Sequence, residues 1–156
     1  MRIGHGYDVH RTENGKKLII GGVHIESDFG LKAHSDGDVL IHALADAILG
    51  ASGLRDIGYY FPDSSDETLD MDSRIILKRA IELAAERGLT LDYADCTIIA
   101  QKPKMAPHIE NMRLVLSETM GADLTRVNVK ATTEEKLGFT GSGDGIAAHA
   151  VCILKE

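Results

Sequence analysis

The chain has 156 residues, 44% hydrophobic and 26% charged, which is the composition of an ordinary folded domain long enough to bury a core. Acidic residues outnumber basic ones, 24 against 17, so a nucleic-acid surface is not expected; any phosphate ligand must be held by local cations, backbone amides or bound metal. No apolar run is long enough for a membrane span and no leader pattern precedes the first strand, so the expectation is a single cytoplasmic domain over residues 1–156 with no membrane partner.

Residues 2 to 10, RIGHGYDVH, alternate with the period of a strand. Ile3, His5, Tyr7 and Val9 share one side, and Gly4, Gly6, Asp8 and His10 the other. KKLIIGGVHIES predicts a hairpin turning at Gly21-Gly22. DGDVLIHALADAILGAS predicts a helix capped by Asp36 or Asp38, with Leu40, Ala43, Leu44, Ala47 and Ile48 as its apolar stripe. LRDIGYYFPDSSDETLDMD, rich in acids with Gly and Pro, predicts a loop. DSRIILKRAIELAAERG predicts a second helix, with Ile76, Ala80, Leu83 and Ala84 inward and Gly88 ending it.

DYADCTIIAQ reads as a strand, and APHIENMRLVLSETMG as a third helix with Pro107 in its first turn and Gly121 past its end. RVNVKATT is a strand, GFTGSGDG a glycine-rich loop and IAAHAVCILK a final strand. This order predicts an α+β fold: a mixed β-sheet covered on one face by helices, with an extra β-hairpin. Cys96 and Cys152 lie in apolar strand runs without a CxxC partner and read as buried thiols in a reducing compartment.

Asp8 and His10, two apart on a strand, leave the same face. With His42 in the first helix they form a donor set that suits zinc, with a fourth position open. The spacing equally fits a hydrogen-bonded surface pair and a satisfied core histidine. It also fits the two-histidine, one-carboxylate pattern of iron(II) oxygenases, although those sites usually sit in all-strand folds. Asp46, one turn after His42, is expected to accept its second ring N–H, or else to be a solvated helix acid. His34 and Ser35 precede a helix N-terminus, where an anion is favoured and where a plain capping loop is equally at home. Thr132, Thr133 and Glu135 end a strand before the glycine-rich loop, and their hydroxyls and amides suit phosphate oxygens; no Walker pattern follows.

GHGYDVH, HSDGDVLIHALADAILGA, DIGYYFPD, TIIAQKPKM, PHIENM and VNVKATTEEKLGFTG follow one another in this order. Together they resemble the 2-C-methyl-D-erythritol 2,4-cyclodiphosphate synthase family, from Met1 to nearly the last residue. The resemblance implies an enzyme of the non-mevalonate isoprenoid pathway. Its substrate is 4-diphosphocytidyl-2-C-methyl-D-erythritol 2-phosphate, whose 2-phosphate attacks the β-phosphorus and expels CMP. It further implies that Asp8, His10 and His42 bind Zn2+ and that Glu135 holds a second divalent cation, Mg2+ or Mn2+.

By the same resemblance, His34 and Thr133 are the catalytic positions that stabilise developing charge. Ser35, Asp56, Ile57, Gly58 and Phe61, with Asp63 and Ser65, match the segments that hold the methylerythritol phosphate and ribose. Ala100, Pro103, Lys104 and Met105, with Ala131 and Thr132, match the cytidine pocket. The family is a homotrimer with active sites between subunits. Tyr7, Val9 and Phe139 match an axial channel that accepts isoprenoid diphosphates, and Phe139 is also expected among the substrate-binding residues. Ser142 and His149 depart from the family pattern there: relatives carry an arginine and an acid, so this chain is expected to bind such a diphosphate weakly near neutral pH.

Overall fold

The structure, a computed structural model, describes residues 1–62 and 70–156. Strand β1 (Arg2–Asn14) is flanked by β4 (Phe29–Lys32) and β7 (Gly145–Lys155), both antiparallel to it. Beyond β7 lie β5 (Thr90–Ile99), antiparallel to β7, and β6 (Val127–Thr132), parallel to β5. The order β4-β1-β7-β5-β6 is the expected mixed sheet. The expected hairpin is β2 (Leu18–Ile20) and β3 (Val23–Ile25), and Gly21 and Gly22 at its turn both have positive φ, which glycine adopts without strain.

Helices α1 (Val39–Ser52), α3 (Ser73–Glu86) and α4 (Ile109–Met120) cover one face. The apolar stripe expected for α1 is too narrow. Val39 to Leu49 are buried apart from Asp46, because the helix is sandwiched between the sheet and α3. Asp38 caps α1, accepting the Ile41 N–H at 3.0 Å, and its oxygens also receive the Gly21 and Gly22 N–H groups at 2.9 and 2.6 Å. One buried carboxylate thus ties the hairpin tip to the helix start.

Among the described residues, several short elements escaped the sequence reading. β4 is too short to show alternation. The segment expected to be a loop contains a helical turn, α2 (Ile57–Tyr60), capped by Asp56, whose side chain accepts the Tyr59 N–H. GFTGSGDG contains α5 (Gly138–Ser142), one turn between the positive-φ residues Gly138 and Gly143. Turns this short carry no periodicity to read.

Among the described residues, no helix lies on the opposite face of the sheet. Ile3, Tyr7, Val9, Tyr93 and Val151 stand 67%, 44%, 40%, 40% and 42% exposed there. Cys96 and Cys152 are buried on the covered side, and burial pushes their thiols up to about 12 and about 11, out of the reactive range. Among the described residues no helix is long and apolar enough to cross a membrane.

Candidate active site

The site begins with two glycines. Gly4 and Gly6 face α1, and a Cβ on either would fall 1.8 Å from the carbonyl oxygen of Ala47 or Ala43. Only glycine lets the helix lie this close to the strand. The next two residues on that side of β1 are Asp8 and His10, and α1 carries His42 down to meet them.

His10 Nε2 lies 2.9 Å from Asp8 Oδ2, His42 Nδ1 lies 3.0 Å from the same oxygen, and the two nitrogens are 3.1 Å apart. Among the described residues this is the one group of three candidate metal ligands. Hydrogen bonding alone does not satisfy the triangle. If each nitrogen gives its proton to the oxygen, the third edge joins two donors, whereas a cation uses all three lone pairs. A tetrahedral zinc with ligands at about 2.0–2.1 Å needs ligand–ligand edges of about 3.3 Å, so the present triangle opens by only a few tenths of an ångström to accept one. The donor set therefore fits zinc.

The charges agree with this. Burial opposes ionisation of Asp8, but the hydrogen bonds and charges of His10 and His42 overcome it and hold its carboxyl well below the usual carboxylate range. Burial likewise opposes a charge on His42, and Asp8 outweighs it, so His42 sits above the ordinary histidine value.

The second nitrogen of His42 does not meet Asp46, the partner that the helix spacing predicts. Nε2 lies 2.9 Å from Ser73 Oγ and 3.2 Å from Ser35 Oγ. Asp46 instead accepts the Ile57 N–H at 2.8 Å and so fixes the start of α2. The i, i+4 spacing puts Asp46 on the right face of α1, but β1 occupies one side of the His42 ring and α3 the other.

The expected site residues fall into two clefts. The first, of about 340 Å³, is lined by the metal triad, His34, Ser35, Ile57, Gly58 and Phe61. Lys32, Ala33, Met71 and Ile76 also line it; no motif in the sequence points to them as site residues. Asp56 caps α2 at its margin. The second, of about 230 Å³, brings together Ala100, Pro103, Lys104, Met105, Ala131, Thr132 and Thr133, with Gln101 and Ala106. Glu135 follows with a positive φ, its N–H directed at Thr133 Oγ1 at 3.3 Å. Phe139 lines neither cleft; it lies on α5 against Gly145. Asp63 and Ser65 lie outside the described residues.

Strands β1, β5 and β6 run in one direction, all opposed to β7 or parallel to a strand that is, so their C-terminal ends share one edge of the sheet. Both clefts open at that edge. From β1 to β6 is three strand spacings, about 14 Å.

The YgbB family model matches residues 1–155. The 2-C-methyl-D-erythritol 2,4-cyclodiphosphate synthase of Marinobacter nauticus is 57% identical over 155 residues, 99% of this chain and 98% of its own length. Among solved structures, the bifunctional IspDF from Campylobacter jejuni has a TM-score of 0.95 and 44% identity over 99% of this chain, which spans 42% of that longer protein. A 2C-methyl-D-erythritol-2,4-cyclodiphosphate synthase in a CDP-bound form gives a TM-score of 0.91 and 38% identity, covering 99% of this chain and 100% of its own. Agreement in sequence and fold over nearly the whole length shows that this chain belongs to the YgbB family.

Proposed function

We propose that the chain, acting as one synthase domain, converts 4-diphosphocytidyl-2-C-methyl-D-erythritol 2-phosphate to 2-C-methyl-D-erythritol 2,4-cyclodiphosphate and CMP in the non-mevalonate route to isoprenoids. The observation that carries this reading is the Asp8–His10–His42 triangle in a cleft shared with His34 and Ser35. The 2-phosphate oxygen bonds to the β-phosphorus, and the bond from that phosphorus to the CMP oxygen breaks. Such transfers depend on positioning and charge neutralisation more than on covalent help.

Asp8, His10 and His42 hold zinc, which when bound supplies Lewis-acid polarisation of a phosphate oxygen. Glu135 offers a single carboxylate, the donor pattern of a Mg2+ or Mn2+ ion that takes its remaining ligands from phosphate and water. His34 and Thr133 aim donors at the transferring phosphoryl group. Ser35, Asp56, Ile57, Gly58 and Phe61 hold the methylerythritol phosphate, a role that Asp63 and Ser65 share by resemblance. The cleft of Ala100, Pro103, Lys104, Met105, Ala131 and Thr132 takes the cytidine.

A homotrimer with active sites between subunits is supported by two features. The apolar residues of the open sheet face need a cover, and the clefts stand strands apart within one chain, so a neighbouring copy can bring them together. Buried free thiols support a cytoplasmic setting. Weak binding of isoprenoid diphosphates is supported by how the departing residues are used. Ser142 Oγ lies 2.7 Å from the Asp144 carboxylate, and His149 Nδ1 lies 3.0 Å from His5 Nε2.

The test is metal analysis of protein purified without added metal, with CMP release measured before and after chelation. Zinc in the protein, loss of CMP release on chelation and its return with zinc support the proposal; iron, or full activity after chelation, contradicts it. His42→Ala should stay folded and lose both metal and activity, because two protein donors are too few for tight binding.

A further inference from the structure

We infer that Asp36 and Ser73 form a relay that fixes the tautomer of His42, and that they are positioning residues for the metal centre. The inference rests on the metal reading of Asp8, His10 and His42.

The geometry gives the relay a direction. Asp36 Oδ2 receives the Ser73 N–H at 3.0 Å, and Oδ1 receives the Asp38 N–H at 3.1 Å. With two backbone donors aimed at it, this side chain is an acceptor. The Ser73 hydroxyl, 2.5 Å from Oδ1, donates to it. A hydroxyl has one proton. Having given it to Asp36, Ser73 Oγ can only accept from His42 Nε2, 2.9 Å away. Nε2 therefore carries a ring proton, and Nδ1, which lies 3.0 Å from Asp8 Oδ2 and donates to it when no metal is bound, is the nitrogen that gives up its proton to ligate metal.

The relay is built into the fold. Ser73 is fully buried as the first residue of α3, and His42 is only 5% exposed on α1. Asp36 lies in the loop before α1 and is pinned to the loop before α3 by its N–H on the Met71 carbonyl at 3.1 Å. Two helices and two loops thus converge on one ring nitrogen. Metal-bound histidines commonly give the second N–H to a carboxylate directly; here a hydroxyl stands between. Neither residue is the N-cap of its helix, although Asp36 also takes the first N–H of α3. Asp38 caps α1 and Asp72 caps α3, accepting the Arg74 N–H.

Two substitutions separate this role from plain packing. Ser73→Ala removes the acceptor at 2.9 Å but leaves Ser35 Oγ at 3.2 Å, so the loss is partial. Asp36→Asn does more than remove a charge. The introduced amide can donate to Ser73 Oγ, the hydroxyl then turns its proton toward His42 Nε2, and the one remaining ring proton is held on Nδ1, which is then closed to metal.

The experiment is a zinc titration against a chromophoric chelator, together with nitrogen-15 NMR of the histidine rings in metal-free protein. Circular dichroism checks that each variant is folded. The expected result is a zinc affinity weakened about 10-fold in Ser73→Ala and about 100-fold in Asp36→Asn, the span of outer-shell effects. The double variant should be no weaker than Asp36→Asn. In the parent Nε2 should be protonated, and in Asp36→Asn Nδ1 alone. Affinities equal to the parent's, or an Nε2 proton retained in both variants, overturn the relay. If Asp36→Asn does not fold, Ser73→Ala decides by the same two readouts. A parent that binds no zinc at all overturns the metal reading, and the relay falls with it.

Discussion

Gly6 sits directly beneath the Ala43 carbonyl, so close that a methyl group on Gly6 would lie 1.8 Å from that oxygen. This single contact sets the distance between the strand bearing Asp8 and His10 and the helix bearing His42. Gly6→Ala must lift α1 from β1, at a cost of about 1–3 kcal/mol in an overpacked core. It should also pull His42 away from its partners. Gly4→Ala meets Ala47 in the same way, further from the triad. Denaturant unfolding and zinc titration of both variants check this. Similar losses of stability are expected, with a larger loss of zinc affinity for Gly6→Ala. Equal zinc affinities would show that the glycines serve packing alone.

The buried cap Asp38 gives the fold a pH dependence. Burial pushes its carboxyl from an ordinary 3.8 up to about 6, against the pull of three backbone N–H groups. A raised carboxyl binds its proton more tightly in the folded state. The stability it contributes is therefore present below about pH 4 and lost as pH rises through about 6, an effect of about 3 kcal/mol by linkage. Asp38→Asn cannot titrate, so the stability gap between parent and variant should narrow over that range. Urea unfolding at pH 4, 5, 6 and 7 in chelator measures it; a gap that is constant or widens contradicts the assignment.

Asp46→Ala frees the Ile57 N–H without touching the metal ligands. A lost hydrogen bond of about 1 kcal/mol should loosen α2 and raise KM several-fold. Zinc affinity should stay at the parent value. Weaker zinc binding would return Asp46 to the role that its helix spacing first suggested.

Much of the molecule was legible in its sequence for a physical reason: long amphipathic elements advertise their period. The hairpin declared itself through Gly21-Gly22, and α3 and α4 through their terminal glycines. The triad was legible because Asp8 and His10 share one strand face, but spacing could not show His42 arriving beside them. That depends on Gly4 and Gly6 admitting α1, a tertiary fact. Ser73 was hidden for a similar reason. Beside Asp72 it reads as an ordinary helix start, and its contact with His42 spans 31 residues. The short elements β4, α2 and α5 lacked the length to show any pattern.

Thr133→Val tests the second cleft. Its hydroxyl should matter most when charge develops on the transferring phosphoryl group, so turnover should fall about 100-fold. CMP affinity, measured by calorimetry, should change far less. Unchanged turnover with weaker CMP binding would make Thr133 a ground-state contact.

Metal-dependent cyclisation is tested most directly by phosphorus NMR of the protein incubated with 4-diphosphocytidyl-2-C-methyl-D-erythritol 2-phosphate, with and without chelator. The paired resonances of a cyclic diphosphate are expected together with CMP, absent after chelation and restored by zinc. Linear hydrolysis products in place of the cyclic compound, or cyclisation that survives complete removal of metal, would contradict it.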